Sequence, residues 1–187
     1  MATQSQANRL LLPVSELNEG VHEYEFTLGN AFFQQFENTL IEAGDAVVKV
    51  TLTKHAHLME VDLSYTSGIS IQCDRCLKEV KVPFEGDDYA LVRPAESAEE
   101  SSDEDVNEIL MPATDNELDI SQFVYESLCL EIPMVRVPCE LTGDDSVCDR
   151  DMLQKLDELR TQKSGEEPDE PEPGIWDKLK GFTPDEN

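Results

Sequence analysis

Two cysteines, Cys73 and Cys76, bracket an Asp–Arg pair in the stretch IQCDRCLKEV. Two thiolates separated by two residues can chelate one tetrahedral metal ion, with each sulfur about 2.3 Å from it. Such a half-site needs two more donors, and Cys139 and Cys148 are the candidates, although eight residues separate them where zinc sites usually show two to four. Two other readings stand beside the metal site. A redox pair would require the C-x-x-C at a helix N-terminus after a strand, where the dipole stabilises a thiolate. The residues on either side here read as strands instead. The remaining reading is four packed thiols without a ligand. The fifth cysteine, Cys129, sits in a helical pattern and reads as core.

Other groupings point to less chemistry. His55 and His57 would share one face of a strand and could in principle bind metal, but a solvated pair at a strand end is the commoner arrangement. Asp144 and Asp145 read as loop solvation. No phosphate-cradling glycine loop, nucleophile elbow or His–carboxylate–nucleophile set stands out. The expectation is therefore a protein that is not an enzyme and has no small-molecule substrate.

The elements that must position the cysteines come from patterning. Alternation with period two marks half-buried, usually antiparallel strands. It runs through Tyr24, Phe26 and Leu28; Val48, Val50 and Leu52; and Met59, Val61, Leu63 and Tyr65. Ile69 and Ile71 continue it up to the cysteines, and Val80, Val82 and Phe84 resume it after them. Between the first strands, a short helix is expected with Asn30 as N-cap, a Phe32, Phe33, Phe36 and Leu40 stripe, and Gly44 as its end. A second helix is expected after Asp119, in a capping box with Gln122, with Ile120, Phe123, Val124 and Leu128 on one face and Pro133 closing it. A polar helix is expected over about Asp149–Arg160.

Charge supplies the rest. The 187 residues carry 41 acidic and 14 basic side chains, a formal net charge of −27. That argues against a broad basic nucleic-acid face and for disordered acidic segments or a basic partner. From Pro94 to Asp119 there are ten carboxylates and no cation. A segment of that composition has little apolar surface to offset its ordering entropy, so about 94–115 is expected as a disordered insertion. Arg75, Lys78, Lys81 and Arg93 make the surroundings of the cysteine pair locally basic, a candidate contact for phosphate or an acidic partner. The five cysteines are an odd number, and the N-terminal stretch lacks the apolar region of a secretion signal. With no apolar run near membrane-spanning length, a reduced, cytoplasmic protein without a membrane partner is expected.

The order of these parts resembles the YceD family of large ribosomal RNA subunit accumulation proteins. CDRCL is similar to a family element through Cys73, Arg75, Cys76 and Leu77. LDISQFVYESLCLEIPMVRVPC is similar to a second, through Asp119, Ile120, Glu126, Leu128, Leu130, Ile132 and Pro133, followed by Cys139. GIWDKLKGF is similar to a short C-terminal element through Trp176 and Leu179. The resemblance implies a non-enzymatic factor in bacterial ribosome biogenesis that supports accumulation of 23S rRNA and of the large subunit. Its partner would be the large-subunit precursor, met through rRNA, a basic ribosomal protein, or both. It favours a structural zinc on Cys73, Cys76, Cys139 and Cys148, although the tight second cysteine pair of many relatives is missing here. The alternative is an acidic binding module or chaperone for a basic ribosomal protein, without RNA contact.

The expected architecture is α+β: a twisted, mainly antiparallel, partly barrel-like sheet with a few helices. Residues 1–160 are expected as one domain containing the acidic insertion. Residues 161–187 are expected as a Pro/Glu-rich linker with a docking motif at Trp176, Leu179 and Phe182.

Overall fold

The computed structural model describes residues 3–4, 8–37, 40–94, 107–112 and 114–163. The chain divides into two compact units, Met1–Cys148 and Asp149–Asn187. In the first, a six-stranded sheet has the order β1 (Thr3–Gln4), β3 (Gly20–Leu28), β4 (Gly44–Lys54), β5 (Met59–Gln72), β6 (Glu79–Pro94) and β7 (Asn107–Met111). The four long strands pair antiparallel, while β1 and β7 join the two ends in parallel. A two-stranded ribbon pairs β2 (Leu11–Leu12) with β8 (Leu118–Asp119). The α+β, mainly antiparallel architecture expected from the patterning is therefore present. The sheet stays open, with β1 and β7 at its ends, so the barrel-like closure is corrected.

Alternation decides which face is covered. The apolar members of β3–β6, from Phe26 and Val48 to Leu63 and Val82, are buried on one face. Helix α2 (Ser121–Leu130) contributes Phe123, Val124 and Leu128 to the same core, and the N-terminal segment contributes Leu10, Leu12 and Val14. Polar bonds fix the seat of α2: Tyr65 Oη donates to the Ser127 carbonyl at 3.2 Å, and Ser127 Oγ donates to Asp88 Oδ2 at 2.7 Å. The Leu10 amide donates to Ser121 Oγ at 2.8 Å, which ties the N-terminal segment to the start of α2.

Gly86 shows how tightly this seat is made. It lies opposite Tyr65 in the β5–β6 ladder. A Cβ there would stand 2.7 Å from Tyr65 Oη and 2.6 Å from Glu131 Oε1. The carboxylate can swing aside, but the buried phenol cannot. Gly86→Ala is therefore expected to cost about 1–3 kcal/mol through overpacking. Urea unfolding checks this, and an unchanged midpoint would show that the Tyr65 ring has room to move.

Three local expectations are corrected. Helix α1 (Asn30–Phe33) has four residues, not the longer stripe: Phe32 and Phe33 are buried, Phe36 only partly, and Leu40 is exposed. Gly29 is its N-cap, and Asn30 Oδ1 instead accepts from the Gly44 amide at 2.9 Å, where Gly44 begins β4. The capping box at Asp119 does not form. Asp119 Oδ1 accepts from the Ser121 amide at 2.9 Å, its other oxygen pairs with Arg9 at 2.8 Å, and Gln122 turns to Glu126. The third correction concerns the acidic insertion, which is interrupted by β7. Ile109 and Met111 pack on the core within an otherwise acidic stretch, where β7 runs beside β6 in the register Ile109 with Val92 and Met111 with Pro94. Residues 95–106 and 113 lie outside the described residues.

The second unit contains α4 (Arg150–Lys163), close to the expected polar helix. Asp149 Oδ1 accepts from the amides of Asp151 and Met152 at 3.0 and 3.1 Å, as an N-cap does. The candidate docking motif at Trp176, Leu179 and Phe182 lies outside the described residues. Among the described residues no helix is long and apolar enough to cross a membrane.

Candidate metal centre

The β5 and β6 strands are joined at one end by the turn that carries Cys73 and Cys76. The Leu77 amide donates to the Cys73 carbonyl and the Cys73 amide to the Lys78 carbonyl, both at 2.9 Å. This closes the chain into a tight knuckle with both thiols turned inward; Cys73 is 0% exposed and Cys76 3%. Leu77 takes φ +60°, a left-handed conformation that costs a non-glycine residue about 1–2 kcal/mol. The knuckle geometry is thus held against a local backbone preference.

The opposite half comes from the segment after α2. The Asp74 amide donates to the Arg136 carbonyl at 2.8 Å, and the Arg136 amide donates back to Asp74 Oδ2 at 2.7 Å. The Arg136 guanidinium adds a bond to Asp74 Oδ1 at 3.1 Å, and Arg75 approaches Glu140 at 3.5 Å. These contacts clamp the later segment onto the knuckle. Helix α3 (Pro138–Thr142) starts with proline at its first turn and buries Cys139. Gly143, at φ +68°, then reverses the chain into a 3₁₀ turn over Asp145–Val147, closed by Asp144 accepting from the Ser146 amide at 2.8 Å. Cys148 follows and is brought back to the knuckle.

The wide spacing of the second pair is absorbed by these two turns. The sulfurs of Cys73, Cys76 and Cys148 all lie within 4.8 Å of one another, and each of the three residues is buried. Four sulfurs at about 2.3 Å around a tetrahedral ion would be about 3.8 Å apart, so the three sulfurs need only a small contraction to share one. The Cys139 thiol neighbours that of Cys148, and Cys139 is 6% exposed. Sequence spacing made Cys148 the weaker member of the set, whereas the structure puts Cys148 in the trio and Cys139 beside it. Burial pushes the Cys148 thiol up from its ordinary value, and the neighbouring thiols of Cys139 and Cys76 add to the shift. At Cys148 this disfavours a free thiolate, a cost that a bound cation would offset.

The remaining sequence candidates lie elsewhere. Cys129 is partly buried on α2 with its thiol against Tyr125, and burial raises its pKa. His55 and His57 are exposed in the β4–β5 turn, and His55 approaches Glu60 at 3.4 Å. The four cations do not form one patch. Arg75 is in the knuckle and Lys78 just after it, while Lys81 and Arg93 are twelve residues apart on β6, about 40 Å at strand rise. Lys81 is paired with Asp45, and Arg93 approaches Glu108 at 3.2 Å.

The knuckle, the α2 segment and the cysteines after it are joined in one comparison. A family model described as the large ribosomal RNA subunit accumulation protein YceD matches residues 61–183, well over half of the chain. The chain belongs to the YceD family. The match starts within β5 and takes in the cysteine knuckle, α2 and α4, so the whole cysteine centre of this YceD chain falls inside it. The family's name associates the chain with accumulation of large-subunit rRNA. No curated protein and no solved structure matches the chain.

Proposed function

We propose that this YceD chain is a non-enzymatic, cytoplasmic assembly factor that supports accumulation of 23S rRNA and hence of the large ribosomal subunit. The family match over residues 61–183 carries this reading. We further propose that Cys73, Cys76, Cys139 and Cys148 hold one structural zinc. Thiolate donors suit Zn²⁺, and a closed four-sulfur site serves to fold a chain rather than to bind substrate. The burial of all four thiols supports that role.

The contact with the precursor has two forms. The strip first assigned to it is Arg75, Lys78, Lys81 and Arg93, and only Arg75 and Lys78 stand together beside the knuckle. With Arg75, Lys81 and Arg93 each facing an internal carboxylate, little positive charge is left for phosphate. This observation favours the second form, in which an acidic module holds a basic ribosomal protein.

Cells lacking the protein are expected to show a lowered ratio of 23S to 16S rRNA and fewer large subunits on sucrose gradients. The wild-type chain should restore both, and an Arg75→Glu/Lys78→Glu chain should restore most of the ratio. An unchanged ratio in the depleted cells would overturn the assembly role. Complete failure of the charge-reversed chain, with its fold intact, would instead favour direct contact with RNA.

A further inference from the structure

One face of the sheet is covered by the core. The register fixes what stands on the other. Glu25, Lys49, Ser64 and Asp87 form one cross-strand row. Glu23, Thr51, Asp62 and Tyr89 form the next, and Thr27, Val47, Thr66 and Glu85 a third. Glu60 stands beside Asp62 in the following row. Setting aside Lys81 with Asp45, Arg93 with Glu108 and His55 with Glu60, this face presents Glu23, Glu25, Asp62, Glu79, Glu85 and Asp87 against Lys49.

Diagonal neighbours on such a face are about 7–8 Å apart, within the screening length at physiological salt, so like charges there act against the sheet. Exposed apolar groups are interleaved with them: Val21 is 62% exposed, Val47 38% and Tyr89 37%. Among these residues Lys49, Ser64, Thr66, Glu85 and Asp87 line a shallow depression of about 460 Å³. An antiparallel sheet can leave one face to water, but a face meant only for solvation mixes its signs. Here one sign accumulates around apolar footholds.

We propose that the face of β3–β6 turned away from the core is a docking surface for a Lys/Arg-rich protein segment. The inference rests on the assembly reading and names the chemistry of the partner. Charge complementarity selects that partner. Carboxylates receive the cationic heads, while Val21, Val47 and the Tyr89 ring receive the aliphatic stems and a guanidinium plane. A polyanionic RNA would be repelled by the same groups, and a second copy of a chain at −27 would meet its own sign.

The test uses the full chain and two fluorescent probes, a Lys/Arg-rich peptide and a 23S rRNA transcript. The wild-type chain is expected to bind the peptide with an affinity that falls as salt rises, and to bind the transcript far more weakly. Neutralising the face with Glu23→Gln, Glu25→Gln, Asp62→Asn, Glu85→Gln and Asp87→Asn should weaken peptide binding at least tenfold. The variant should melt no lower than wild type, since repulsion is relieved. A control neutralised at Glu37, Glu42, Asp115, Glu117 and Asp151 should stay within about threefold of wild type. Equal loss in both variants would reduce the effect to net charge and overturn the docking face. So would tighter binding of the transcript than of the peptide, or self-association in place of peptide binding. Unchanged peptide binding by the face variant, with full restoration of 23S rRNA in depleted cells, would overturn the face and leave the assembly role standing. Failure of the wild-type chain to restore 23S rRNA would overturn the assembly role whatever the peptide result.

Discussion

Cys76→Ser is expected to abolish metal binding and to destabilise the Met1–Cys148 unit by on the order of 5 kcal/mol, the range reserved for loss of a structural element such as a metal. The size follows from what the centre joins. Residues 136–148 consist of a five-residue helix, a reversal at Gly143 and one 3₁₀ turn, none of which is long enough to persist alone. Among the contacts that tie them to the knuckle are the Asp74–Arg136 bonds and the Arg75–Glu140 pair, which are partly exposed and individually modest. Binding of an ion by both halves would therefore appear as folding energy. Urea unfolding with and without a strong chelator checks it. The chelator should lower the wild-type midpoint to near that of Cys76→Ser and leave the variant unmoved. Coincident curves for all four conditions would show that packing alone holds the thiols.

Leu128→Ala is expected to cost about 3 kcal/mol. The side chain is fully buried within the core that α2 and the sheet share. Deleting its branched end removes apolar contact and leaves a cavity whose cost depends on how far the surroundings collapse. Collapse is restricted here, because the adjacent Ser127 anchors the helix to Tyr65 and Asp88. Leu130, two residues on, is 81% exposed, and Leu130→Ala should stay within about 0.5 kcal/mol. Both leucines belong to the sequence element that matches the family, so packing explains the first and not the second. Equal costs for the two substitutions would mean that α2 is not seated through its Leu128 face.

The strands were legible because burial on one face writes itself as period two. Tyr24 to Leu28, Val48 to Leu52 and Met59 to Tyr65 lie where that pattern puts them. Strand β7 was hidden because composition averaged over the acid-rich stretch 94–115 conceals a five-residue strand within it. Helix α1 was overestimated because its phenylalanines are buried through a turn: Phe36 stacks on Tyr125 of α2 at 4.0 Å rather than continuing a stripe. The knuckle was legible from spacing alone. Cys148 was a candidate by residue type alone, with its spacing from Cys139 counting against it, because its approach depends on the left-handed reversal at Gly143, which spacing rules do not encode. The basic strip looked contiguous in sequence, but a strand as long as β6 carries Lys81 and Arg93 far apart, and the register brings carboxylates to both. The same register assembles the acidic face from four successive strands spanning residues 20–94, which no short sequence window contains.

The central structural claim is that four cysteines from two distant segments share one ion. X-ray absorption at the zinc edge, on protein purified without chelator, tests it most directly. The account predicts about one zinc per chain, surrounded by four sulfurs at about 2.3 Å, with the sulfur count falling to three or the metal lost in Cys139→Ser. Protein free of zinc, or zinc bound mainly by nitrogen and oxygen, would contradict it.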